Sequence, residues 1–161
     1  MAWAKNGTPD TLGSAGDTMT ISDLTAKNFN EFLSHPFTDG SAIDCDFRID
    51  NLSTSTYAYR YSSNGAADST ATSQAEITPS IQTTAADRFV VGYGLNISTE
   101  EKLFIFFSID RNTAGAGTAP QRQETVGKQS GTSTAYTRID MLNTQAGNFD
   151  TTSNLSALGT D

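Results

Sequence analysis

The sequence predicts an all-β protein, an antiparallel β-sandwich of jelly-roll-like type with about eight to nine strands. Three observations carry this. Apolar and polar residues alternate in short runs, most cleanly at Cys45–Ile49, where Cys45, Phe47 and Ile49 oppose Asp46 and Arg48. Such runs recur about every 8–12 residues, with Gly, Asn, Asp or Pro between them. No segment holds an apolar stripe of helical period long enough for an ordinary helix.

The 161 residues fit one domain. Residues 1–17 read as an extended N-terminal arm, because Gly7, Pro9, Gly13 and Gly16 oppose a helix. Residues 18–161 read as the sandwich. The arm's apolar residues are Trp3, the only Trp of the chain, and Leu12. A Trp in such a segment is expected to dock, either on its own domain or on a neighbouring subunit.

Thr18–Leu24 reads as a short strand through Met19 and Ile21. Residues 26–35 fit either period, since Phe29, Phe32 and Leu33 make a helical stripe while Phe29 and Leu33 share a strand face. The β context favours a strand, and Pro36 ends the element in both cases. Asp39-Gly40 marks a turn. Thr56–Tyr61 places Tyr57, Tyr59 and Tyr61 on one strand face. Ser62–Ser73 reads as a loop opened by Asn64-Gly65, and Gln74–Ile81, with Pro79, as an edge strand or irregular connection.

The centre of the sheet is expected at Phe89–Ile109. Two apolar segments, Phe89–Ile97 and Leu103–Ile109, flank the polar turn Ser98–Glu101 and read as a hairpin. Phe89, Val91, Tyr93 and Leu95 face one way. Gly92 and Gly94 leave room for something to approach from outside. Leu103–Ile109 is apolar almost throughout, which predicts a strand covered on both faces. Asn112–Pro120 is a glycine-rich loop. Arg122–Lys128, Ala135–Leu142 and Leu155–Leu158 are the remaining strands.

Composition excludes several classes. The net charge is −8, and the ten basic residues are scattered singly. Nucleic-acid binding needs clustered Lys and Arg to neutralise phosphates, so no nucleic-acid partner is expected. No apolar run approaches a membrane span or a signal-peptide core. Cys45 stands alone, has acidic neighbours that oppose a thiolate, and reads as a buried small hydrophobe. The sequons at Asn6, Asn51, Asn96 and Asn154 are expected by chance in a Ser/Thr-rich chain.

No pattern in the chain reads as catalytic. The G-x-G within Asn112–Pro120 leads into β-like sequence and lacks the Walker lysine, so it is not a phosphate cradle. His35, the only His, has neither a ligand set nor a G-x-S-x-G partner. Asp44, Asp46 and Asp50 share one strand face and do not face each other across a cleft as glycosidase carboxyls do. A strand-end calcium site at Asp50 and Asn51 is the weaker alternative to solvated carboxylates. No cofactor and no metal are expected. Tyr57, Tyr59 and Tyr61 are candidate sugar-stacking residues, although packing between sheets is the commoner fate of such a row.

The C-terminal half carries a resemblance. Residues 112–122 (NTAGAGTAPQR), 126–128 (VGK), 138–143 (RIDMLN) and 147–161 (GNFDTTSNLSALGTD), with 57–74 upstream, resemble a β-sandwich virion structural protein of environmental, especially marine, tailed bacteriophages. The chain departs from that pattern at Gln129, where the family string has an aromatic. The resemblance implies a non-enzymatic structural protein of the virion, made in the host cytoplasm. It implies a capsid decoration protein that binds the major capsid protein or other virion proteins and its own copies, with a trimer favoured. Trp3 and Leu12 of the arm and Asn112, Ala114, Gly115, Gly117, Pro120 and Arg122 of the loop are then the expected contact residues. The alternative is a tail- or fibre-associated adhesion module that binds host-surface carbohydrate through Tyr57, Tyr59 and Tyr61.

Overall fold

A computed structural model describes residues 2–161, the side chains of 82–84 excepted. The strands in chain order are β1 (Ala4–Lys5), β2 (Asp10–Thr11), β3 (Thr18–Ile21), β4 (Phe29–His35), β5 (Ile43–Ile49), β6 (Tyr57–Ser63), β7 (Ser69–Gln74), β8 (Ile77–Thr84), β9 (Arg88–Leu95), β10 (Lys102–Asp110), β11 (Gln121–Gln129), β12 (Ile139–Leu142) and β13 (Asn154–Thr160). All pairings are antiparallel. The protein is an all-β sandwich. One sheet has nine strands in the order β1-β13-β4-β9-β10-β11-β6-β7, with β2 also on β13, and the other has four in the order β3-β12-β5-β8.

Residues 29–35 are a strand, and the Phe89–Ile109 hairpin lies mid-sheet between β4 and β11. The strand count exceeds the eight to nine expected because short edge pairings are not visible as periodicity. Residues 69–73 of the expected loop belong to β7 (Ser69–Gln74), which also takes Gln74 from the expected edge strand. Its hairpin with β6 turns at Asn64 and Gly65, both at positive φ, the backbone a two-residue turn of opposite hand requires. Of the expected arm, the described residues 2–17 are extended but do not project. β1 and β2 line β13, and Asp10 Oδ2 accepts from Thr20 N at 2.7 Å.

The core lies between the sheets. Phe47 of the small sheet packs against Phe32, Phe104 and Phe106 of the large one, with ring centroids 4.9–5.2 Å apart. A Cβ at Gly92 would sit 2.5 Å from Phe106, and one at Gly94 would sit 2.6 Å from the Tyr136 hydroxyl. The glycines therefore admit core rings from inside the sandwich, contrary to the expected approach from outside. Tyr136 lies before β12, so the expected strand 135–142 shortens to Ile139–Leu142. Its hydroxyl accepts from Asn30 Nδ2 at 3.1 Å.

Two sequons proved structural. Asn6 donates to Thr25 O and Asn30 Oδ1 and accepts from Thr25 N. Asn96 accepts from Tyr136 N at 2.7 Å and donates to Tyr136 O at 3.0 Å. Buried amides that clip two strands together satisfy the backbone where no ladder does. Pro79, which has no N–H to give, sits in β8 at an edge of the small sheet, beside register shifts between β5 and β8.

Candidate functional site

The outward face of the nine-stranded sheet is the largest feature that the interior does not explain. Side chains alternate across a strand. In β10 the inward set is Lys102, Phe104, Phe106, Ser108 and Asp110, all buried, and the outward set is Leu103, Ile105, Phe107 and Ile109, all exposed. This corrects the expected double coverage. The strand is apolar on both faces, but the four-stranded sheet covers only one of them.

Register extends the patch sideways. Leu95, Tyr93, Val91 and Phe89 of β9 stand beside Leu103, Ile105, Phe107 and Ile109, and Val126 of β11 stands beside Ile105. Phe29 and Leu33 of β4 flank Leu95 and Val91. Trp3, Phe29, Phe89, Tyr93, Val126 and the four outward residues of β10 are each 41–50% exposed. Lone exposed hydrophobes are ordinary. A contiguous patch of this kind marks an interaction surface.

The patch has relief. A hollow of about 240 Å³ is lined by Trp3, Phe29, Tyr93, Leu95, Leu103 and Ile105. A second, of about 530 Å³, opens beyond Leu103 and Ile105 over Ala58, Ala71 and Val126, with Arg60 and Lys128 on its wall. The small side chains of β6 and β7 make that side low, so Leu103 and Ile105 form a ridge between two depressions. Charges edge the patch in compensated pairs: Lys128 with Glu101 at 2.7 Å, Arg122 with Glu124 at 3.2 Å and Arg60 with Asp68 at 3.3 Å. Tyr93 donates to Glu31 at 3.4 Å, and the Glu31 charge raises the phenol above its ordinary range.

The expected contact residues divide. Trp3 is on this face. Leu12 is not exposed for a partner, because it is half-buried against the protein's own core and its amide donates to Ser153 O. Ala114, Gly115, Gly117 and Pro120 are exposed at a loop tip, where Asn112 Nδ2 reaches Ala119 O at 3.3 Å. Arg122 lies on the outward side of β11. The tyrosine row faces inward. Tyr57 is buried with its hydroxyl on the backbone of Ile49, which leaves no ring face open to a sugar. Tyr59 is half-buried against the core with its hydroxyl on Thr78, and the Tyr61 ring lies tilted to it with centroids 6.1 Å apart.

The opposite sheet carries a different surface. Asp44 and Asp46 are buried among polar partners from the 143–145 segment. Thr144 N, Thr144 Oγ1 and Gln145 Nε2 donate to Asp44, and Thr78 Oγ1 donates to Asp46. Burial, with the Asp44 charge second, pushes Asp46 up to about 7. Asp50 Oδ1 accepts from Thr137 N and Arg138 N, which ties this carboxylate to the chain's own backbone. Among the described residues no three His, Cys, Asp or Glu are grouped to hold a metal ion. Burial pushes the Cys45 thiol up to about 12. His35 packs edge-on to Phe37 at 4.2 Å. Among the described residues no helix is long and apolar enough to cross a membrane.

No protein-family model matches the chain, and no curated protein sequence matches it. Among solved structures it is similar to a tetrameric galectin from the ball sponge Cinachyrella sp., at 10% identity and a TM-score of 0.32, over 87% of this chain and 98% of that one. A similarity of this size carries no functional statement.

Proposed function

We propose that the chain is a non-enzymatic structural protein of a virion, a capsid decoration protein that works by burying surface against the major capsid protein and against its own copies. The observation that supports this reading is the outward apolar face of the nine-stranded sheet, continuous with Trp3. The driving force for such assembly is burial of apolar area. Anchoring by the arm as a free segment is replaced here by anchoring through Trp3 and the face beside it, since the arm is paired along β13. The exposed 112–122 loop is the second contact.

Co-sedimentation of the purified chain with capsids that lack it tests this. Binding is expected for the natural chain and loss of binding for Trp3→Ala combined with Leu103→Asp. Both side chains point out of the fold, so thermal stability should hold. Binding that survives these substitutions and deletion of residues 113–119 would count against the reading.

A carbohydrate-binding adhesion module is the second reading. It rests on Trp3 and Tyr93, exposed aromatics in the smaller hollow, in place of the inward-facing Tyr57, Tyr59 and Tyr61. Saturable binding on a glycan array that disappears with Tyr93→Ala would favour it.

A further inference from the structure

The geometry points to a second copy of this chain as the occupant of the apolar face: two nine-stranded sheets pack face to face about a two-fold axis lying between them, near Ile105. This rests on the preceding reading only in taking the face as a working surface.

Area is the first ground. The face spans five strands, β4 to β6, at about 4.8 Å spacing, and three or four outward residues along each at about 6.7 Å, or about 24 Å by up to about 27 Å. Two such faces bury up to about 1,300 Å² of projected area, at the lower end of the roughly 1,200–2,000 Å² of stable specific interfaces. Packed sheets settle about 10 Å apart with interdigitated side chains, which is how the protein's own two sheets meet. An open sheet face is thus the kind of surface another such face fits.

Charge is the second ground. Two molecules of net charge −8 repel in general. Outward positions on these five strands carry only Glu31 and Glu124 of the 18 acidic residues, against Arg60, Arg122 and Lys128 of the ten basic ones. The face is therefore the part of an acidic molecule that a second copy can approach. An axis parallel to the strands lays the β4 side, with Glu31, over the partner's β6 side, with Arg60, while apolar centre meets apolar centre. A two-fold isologous contact closes on itself and makes a dimer.

Sedimentation velocity of the isolated chain over roughly 1–100 μM decides this. A monomer–dimer equilibrium is expected, with Ile105→Asp raising the dissociation constant at least about 100-fold. Ile105→Cys supplies a second check, because the native Cys45 is buried and the new thiol would be the accessible one. It should form a covalent dimer under mild oxidation, and Ala114→Cys at the loop tip should not. Circular dichroism establishes that each variant is folded. A monomer throughout the range, a trimer, or an oligomer indifferent to Ile105→Asp would overturn the proposal. Capsid co-sedimentation of the natural chain separates the two readings: a natural chain that stays monomeric yet binds capsids overturns self-association alone, and one that dimerises yet fails to bind capsids overturns the capsid reading alone.

Discussion

The carboxyls of Asp44 and Asp46 meet on one hydroxyl. Thr144 Oγ1 lies 2.7 Å from Asp44 Oδ2 and 3.0 Å from Asp46 Oδ2. A hydroxyl has one hydrogen, so it donates to one carboxylate and accepts from the other acid only if that acid is protonated. Asp46, pushed up to about 7 by burial, is the group suited to keep the proton.

That arrangement makes stability depend on pH. The folded value lies above the roughly 3.9 of an unfolded Asp, so the protonated form favours the fold. The stabilisation is complete below about pH 4 and is lost as pH rises through about 7, with a limit on the order of 4 kcal/mol. Asp46→Asn should flatten this part of the profile and raise the melting temperature at pH 8 relative to the natural chain. Urea melts at pH 5 and pH 8 measure it. A natural profile that rises from pH 5 to pH 8 would show that Asp46 is ionised in the fold.

Gly92→Ala should destabilise by about 1–3 kcal/mol, because the new methyl meets the Phe106 ring at 2.5 Å and the Phe32 ring at 3.1 Å. Phe106→Leu in the same chain should recover part of the loss. Chemical denaturation of the three variants gives the coupling directly.

Arg88 and Asp110 pair across β9 and β10 at 3.5 Å, both buried on the inward face. Arg88→Met leaves the Asp110 charge in the core and should cost about 3–5 kcal/mol. Arg88→Met with Asp110→Leu should cost much less, as an apolar pair replaces an ionic one. Equal losses for the single and double variants would show that the ion pair is not what matters at this position.

Asn96→Ala should cost about 2–4 kcal/mol, since it strands the buried N–H and C=O of Tyr136 together. Hydrogen exchange of the Tyr136 amide offers a local reading, with protection expected to fall ahead of that in β10.

The two loop glycines should respond with opposite sign. Gly115 has φ +99°, where an alanine is strained, while Gly117 has no positive φ and open space for a Cβ. Gly117→Ala should stabilise by about 0.4–1 kcal/mol through the unfolded chain, and Gly115→Ala should destabilise by about 1 kcal/mol. Melting temperatures of the pair check this.

Much of the architecture is legible in the chain. The alternation at Cys45–Ile49, the hairpin around Ser98–Glu101 and the Asn64-Gly65 turn are local signals, set by side-chain period and by allowed backbone angles. Asn6 and Asn96 carried no such signal as clips, since an Asn buries its amide only where folding brings unpaired backbone to it. Trp3 was visible as an odd apolar residue, but the neighbours that make it part of a patch, Phe29, Tyr93 and Leu103, come from three distant strands. The sequence determined that β10 is apolar on both sides. Only the tertiary structure decided that one side is core and the other faces outward, because burial is a property of what packs against a strand. Leu103, Ile105, Phe107 and Ile109 would read the same under a second sheet of this chain as under a sheet of another.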